Sequence, residues 1–128
     1  MVAQNISQLI SCRNAAVVLA LLTAVVHFFI GGADALVPML AAQLSAPAEG
    51  AMYAVWHIVT VVLFYSVYVF WRGGKVAVHF AMLWVAMALV FVYVGLTQSG
   101  VSGLLVNPQW TILGLTGFLA WRSWSAVN

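Results

Sequence analysis

The sequence predicts an all-α fold, an integral membrane four-helix bundle in one domain, and three observations support that class. Of the 128 residues, 66% are apolar and only 5% are charged, whereas soluble domains carry about a quarter charged residues. The mean hydropathy is +1.11. The few charges separate apolar runs whose lengths approach the roughly 20 residues of a membrane-spanning helix. So few charges also exclude a nucleic-acid-binding surface, because they cannot form a basic patch.

Four apolar segments are the predicted spans of a single domain, residues 1–128. They cover about residues 14–32, 51–71, 76–97 and 108–124. The second and third reach the length of a spanning helix easily, and the fourth is at the short end of the range. Asn107 can cap the fourth helix, with Pro108 at its first position.

Two loops connect the spans on the outer side. The first loop is apolar and contains Pro38 and Pro47. Within it, the segment 36–44 is expected to form a short helix that lies at the membrane interface. The second loop, 98–107, contains glycines that are typical of a turn.

The basic residues predict the orientation in the membrane. With four spans, one side of the membrane carries all the basic residues: Arg13, Arg72, Lys75 and Arg122. Asp34 and Glu49 fall on the other side. The positive-inside rule then places both termini in the cytoplasm, and we expect the protein in the plasma membrane, the bacterial inner membrane.

Small and polar residues are expected to mark the inward faces, because lipid gives helices no hydrophobic reason to associate. On the first span this stripe is Ala16, Ala20, Thr23, His27, Gly31 and Asp34. On the second it is Glu49, Tyr53, His57 and Thr60, and on the third His79, Met82, Ala86, Tyr93 and Thr97. On the fourth it is Thr111, Gly114 and Gly117.

Two histidines are the strongest candidates for a functional site, since ionisable groups inside a membrane are costly and usually functional. His27 lies about five residues before the outer end of the first span, roughly 8 Å deep at the helical rise. His57 lies about seven residues into the second span, roughly 10 Å deep. Consecutive spans are antiparallel, so the two imidazoles are predicted to be neighbours.

Other polar residues are predicted near this pair. Glu49 and Asp34 lie closer to the outer surface and are candidate further ligands. Tyr53, Tyr93 and Thr23 are expected to supply supporting hydroxyl groups at a similar depth.

The first functional hypothesis is that His27 and His57 bind a transition metal or haem b in the outer half of the bundle. Imidazole is a good ligand for zinc, copper, iron and nickel, and haem iron also accepts axial histidines. The sequence does not decide the cofactor, and the histidines could instead form hydrogen bonds that only fix the packing.

Two further hypotheses stay open: a small homo-oligomeric transporter or channel coupled to ions or protons, and a non-catalytic accessory subunit of a larger membrane complex. The lipid bilayer is the expected surrounding, with a homo-oligomer or a larger complex as partners. No catalytic motif is recognisable, so an enzymatic role is disfavoured without being excluded.

Overall fold

The computed structural model describes the backbone of residues 2–125 and the side chains of residues 7–125. Every regular element in that range is helical, which confirms the all-α prediction. In chain order the elements are α1 (Val2–Val26), a π-helical segment (His27–Leu36), α2 (Val37–Leu40), α3 (Ala46–Arg72), α4 (Lys75–Ser99), a 3-10 turn (Gly100–Ser102), α5 (Gly103–Val106) and α6 (Gln109–Ser125).

Among the described residues, three helices are long and apolar enough to cross a membrane: Ser7–Leu40, Ala46–Arg72 and Lys75–Val106. They correspond to the first three predicted spans, so a membrane protein is supported. Helix α6 has 17 residues, which is at the lower limit of the roughly 17–25 residues of known spanning helices. The fourth span therefore stays a prediction.

The first helix is longer than predicted, because α1, the π-helical segment and α2 run on without a break to Leu40. The predicted separate interfacial helix over 36–44 is not confirmed, since its first half belongs to this long helix. Pro38 cannot donate a backbone hydrogen bond. Just before it, the Val37 N–H donates to the Gly32 carbonyl, five residues back. The helix therefore continues to the proline through a wider, π-helical turn.

Small side chains form most of the core where α1, α3, α4 and α6 contact one another. Ala16 and Ala20 of α1 are fully buried, as predicted. Helix α6 runs antiparallel to α4, with Gly117 against the backbone of Ala81 and Gly114 beside Ala88. Such close approach is how helices associate in lipid.

The predicted inward face of α4 is wrong. All five residues of that stripe are exposed: His79, Met82, Ala86, Tyr93 and Thr97. The buried face of α4 is instead formed by Ala77, Ala81, Trp84, Ala88 and Gly95.

The physical reason is that a polar side chain can form a hydrogen bond with a backbone carbonyl of its own helix. Such a side chain does not have to face the other helices. The Thr97 hydroxyl donates to the Tyr93 carbonyl at 2.9 Å, and His79 Nδ1 lies 2.9 Å from the Lys75 carbonyl oxygen. Trp84 is turned inward, where its indole N–H donates to the Ser66 hydroxyl at 2.9 Å.

The end of α6 lies beside the turn between α3 and α4. The Trp124 indole N–H donates to the Phe70 carbonyl at 3.2 Å, and its ring lies against Gly73, whose φ is +80°. This contact places Arg72, Lys75 and the end of α6 at the same end of the molecule, as the four-span topology requires.

Candidate functional site

His27 lies where α1 changes into the π-helical segment, and it contacts α3. Its ring stacks on the Trp56 indole, with ring centroids 4.2 Å apart and an interplanar angle of 17°. Its Nε2 lies 3.4 Å from the Trp56 carbonyl oxygen. A carbonyl oxygen can only accept, so a hydrogen bond at this contact requires the proton on Nε2, and the neutral ring then keeps its lone pair on Nδ1. A hydrogen bond to the carbonyl sets the tautomer of His27, and the stacking on Trp56 restrains the orientation of its ring.

Trp56 is held in place from more than one side. A Cβ at Gly31 would lie 3.2 Å from the Trp56 ring, so the glycine leaves room for the indole. The Thr60 hydroxyl, in the buried part of α3, donates to the Trp56 carbonyl at 3.0 Å. The same carbonyl thus accepts from Thr60 and from His27. Trp56 therefore contacts the π-helical segment through both its ring and its carbonyl.

His57 follows Trp56 directly, but its ring has a different environment. It meets the Tyr53 ring edge to face at a centroid distance of 4.4 Å. It forms no hydrogen bond with any residue whose side chain the structure describes. The ring borders an open groove of about 410 Å³ that is otherwise apolar: Ala54, Ile58, Val61 and Val62.

His27 packs against Trp56, the residue directly before His57 in α3, and the direct contact of the two imidazoles stays a prediction. Each has its ring contact with an aromatic side chain of α3, His27 with Trp56 and His57 with Tyr53. The site therefore contains one imidazole that stacks on an indole and a second that has no hydrogen bond to the described residues.

The candidate acidic ligands lie at the surface. Asp34, on the π-helical segment, and Glu49, in the first turn of α3, are both exposed. Within residues 7–125, no group of three or more His, Cys, Asp or Glu side chains could hold a metal ion. Asp34 and Glu49 do not complete such a group, and their role as ligands stays a prediction.

The structure places the three predicted supporting residues in different environments. Tyr53 joins the site through its contact with His57. Thr23 is half-buried, and its hydroxyl donates to the Leu19 carbonyl of its own helix at 2.8 Å. Tyr93 is 68% exposed, because it belongs to the outward face of α4.

Trp56 was missed by the sequence analysis. Its spacing could have revealed it, since it lies three residues after Tyr53 and four before Thr60, both on the predicted inward stripe of the second span. Aromatic residues near span ends are typical of membrane interfaces. Trp56 lies seven residues beyond Glu49, about 10 Å deeper along the helix.

Comparison of the chain with protein-family models, with curated proteins and with solved structures found no match. The geometry around His27, Trp56 and His57 therefore carries the functional proposal.

Proposed function

We propose that this chain is an integral membrane protein that binds a transition-metal ion through His27 and His57. The observation that carries the proposal is the contact of His27 Nε2 with the Trp56 carbonyl. Histidines that bind metals almost always donate their other ring N–H to a carbonyl or carboxylate, which fixes the tautomer. In His27 the Trp56 carbonyl is placed to accept that hydrogen bond from Nε2. Nδ1 is then the atom that would bind the metal.

His57 supports the proposal because it lacks a hydrogen bond among the described residues, although it lies in a helix that can span the membrane. Polar groups at such depth are costly unless they are paired. A metal ion would supply the missing partner. Neutral imidazole suits zinc, copper, iron and nickel, so these ions are the expected class.

Two imidazoles do not fill the coordination sphere of these metals. A structural zinc site, for example, has four ligands. The remaining positions must come from groups beyond His27 and His57. The iron of haem b, with two axial histidines and four porphyrin nitrogens, is the second form that the same residues could bind.

The proposed setting is a four-span bundle in the plasma membrane with both termini in the cytoplasm. The basic residues near the α3–α4 turn support this orientation. Exposed Asp34 and Glu49 then lie at the outer end, where carboxylates raise the local concentration of cations. A transporter and an accessory subunit stay alternative predictions that none of the contacts described above favours.

The test is metal content after purification in detergent from cells grown with added zinc, copper and iron. We expect metal in the unaltered protein and a loss of at least about tenfold in apparent affinity for His27→Ala and His57→Ala. His79→Ala is the matched control, because His79 is exposed and bonds within α4. A visible Soret band would identify haem.

The proposal is overturned if the unaltered protein neither retains nor takes up metal or haem. It is equally overturned if the double variant His27→Ala/His57→Ala binds as well as the His79→Ala control. Folding of each variant is checked by circular dichroism, so that loss of binding is not confused with loss of structure.

A further inference from the structure

We propose that anionic phospholipid binds to a set of basic residues at one end of the helices, and that its headgroup phosphates link those helices. This basic rim consists of Arg13, Arg72, Lys75 and Arg122. Each of them comes from a different long helix, in order α1, α3, α4 and α6. They are all the Lys and Arg residues of the sequence. The proposal does not depend on the proposed metal site.

Lys75 and Arg122 lie at the same level because α4 and α6 are antiparallel. Gly117 of α6 packs against Ala81 of α4, where an added Cβ would lie 2.8 Å from the Ala81 carbonyl oxygen. Arg122 lies five residues after Gly117, and Lys75 lies six residues before Ala81. At the helical rise these steps are about 8 and 9 Å in the same direction.

Arg13 and Arg72 reach one level in the same way. The segment 41–45 that joins the first long helix to α3 is short, so the two contacting helices run antiparallel. His27 stacks on Trp56, which aligns them. Arg13 lies fourteen residues before His27, and Arg72 lies sixteen residues after Trp56. These steps are about 21 and 24 Å in the same direction.

The turn between α3 and α4 joins the two pairs into one rim. Only two glycines separate Arg72 from Lys75. Trp124, two residues after Arg122, has its indole N–H bonded to the Phe70 carbonyl at 3.2 Å. This hydrogen bond holds the end of α6 beside the turn. Four positive charges therefore lie at one end of a helical framework.

No carboxylate side chain of the sequence neutralises the basic rim. Asp34 and Glu49 are its two acidic side chains. Within α3, Glu49 and Arg72 are 23 residues apart, which is roughly 35 Å along the helix. The rim also forms no salt bridge with any residue whose side chain the structure describes. Its positive charges therefore need anions from outside these residues.

The separation of the charges identifies lipid as the source of those anions. The hydrocarbon core of a bilayer is about 30 Å thick, so charged levels about 35 Å apart coincide with its two headgroup layers. Two exposed tryptophans mark the level of the rim: Trp71, 60% exposed beside Arg72, and Trp121, 46% exposed beside Arg122. Tryptophan is enriched where headgroups meet acyl chains. Headgroup phosphates accept charge-assisted hydrogen bonds from Arg and Lys.

An anionic headgroup is favoured over phosphatidylcholine, because phosphatidylcholine carries a positive ammonium group beside its phosphate. Each basic residue near an anionic membrane surface contributes about fivefold to the affinity. The like charges of the rim also repel one another across helices, and bound phosphates remove that repulsion. Lipid that binds only the folded form therefore stabilises it.

Native mass spectrometry of the full chain in detergent tests the preference. The delipidated protein is mixed with equal amounts of phosphatidylglycerol and phosphatidylcholine, and the first lipid adduct is measured. We expect phosphatidylglycerol to be favoured by at least about fivefold. Arg72→Gln/Lys75→Gln should lose most of that preference, and the charge-conserving Arg72→Lys/Lys75→Arg should keep it. Glu49→Gln is the matched control, because it changes one charge at the opposite end of α3.

Thermal unfolding, followed by circular dichroism in the presence of each lipid, tests the link between helices. We expect a higher unfolding midpoint with phosphatidylglycerol than with phosphatidylcholine. The difference should shrink in the double glutamine variant and in salt of about 1 M, which screens exposed charges. If the double glutamine variant is unfolded, Arg122→Gln on α6 takes its place in both measurements.

Equal binding of the two lipids by the folded, unaltered protein overturns the proposal. It is also overturned if the glutamine variant keeps the full preference, if the charge-conserving variant loses it, or if Glu49→Gln changes it as much as the glutamine variant does. Equal unfolding midpoints with the two lipids would refute the link between helices. Metal content is measured separately, so the metal site and the lipid site can each fail alone.

Discussion

Replacement of Trp56 by alanine tests whether the aromatic stack positions His27 for binding. The substitution removes the ring that lies 4.2 Å from the imidazole. It leaves the backbone carbonyl of residue 56, which accepts the His27 hydrogen bond, in the chain. The tautomer of His27 is therefore retained, and only the restraint on its orientation is lost. Trp56→Phe is the conservative variant, because phenylalanine keeps an aromatic face.

The expected size of the effect follows from this contact. An aromatic stack contributes about 0.5–1.5 kcal/mol beyond the area that it buries. At about 1.4 kcal/mol for each factor of ten, this corresponds to a roughly two- to twelvefold weaker metal affinity for Trp56→Ala. Loss of His27 itself removes a ligand and should cost at least about tenfold. Trp56→Phe should recover most of the affinity.

The assay is a competition titration of the metal against a chromophoric chelator, with the thermal stability of the metal-free protein measured in parallel. A positioning role requires that affinity falls for Trp56→Ala and recovers for Trp56→Phe. Unchanged affinity in a folded Trp56→Ala protein would refute the reasoning. The reasoning is also refuted if Trp56→Ala lowers the affinity, Trp56→Phe does not restore it, and both metal-free proteins have normal stability.

Further predictions concern packing and topology. Gly117→Ala should destabilise the protein by about 1–3 kcal/mol in a denaturant titration, because the new Cβ would lie 2.8 Å from a carbonyl oxygen of α4. Gly114→Ala is its control, with only a methyl group of α4 at 3.7 Å, and an equal loss there would contradict this packing. The Thr116 hydroxyl is buried without a partner among the described residues. Thr116→Val should therefore leave stability unchanged or raise it, and a loss above about 1 kcal/mol would show an unrecognised hydrogen bond. A membrane-impermeant maleimide applied to intact spheroplasts should label a cysteine at Ser45 but not at Ser125, and the reverse pattern would contradict the proposed orientation.

The helical class and the membrane setting could be predicted from the sequence, because lipid requires every backbone polar group to bond within the segment. The predicted spans 51–71 and 76–97 lie inside Ala46–Arg72 and Lys75–Ser99. The extent of the first helix could not be predicted. A proline such as Pro38 normally indicates a helix end. The π-helical segment before it is a backbone arrangement that no residue pattern in the sequence predicts.

The proximity of His27 to α3 was also predictable, since antiparallel helices bring equal depths together. The stacking of His27 on Trp56 was not, because it depends on the space that Gly31 leaves for the indole ring. The exposed position of Tyr93 likewise follows from how α4 is rotated. Polarity was a poor guide to that rotation because Thr97 and His79 find their partners within α4.

The sequence by itself determined that this chain forms apolar helices and where its few charges and imidazoles lie along them. Those features depend on composition and on the helical rise, which are local. Only the tertiary structure decided which face of each helix turns inward, and so which aromatic ring each histidine contacts. The reason is that lipid and protein interior are equally apolar. The rotation of a membrane helix is therefore set by close packing of its neighbours rather than by its own hydrophobic pattern.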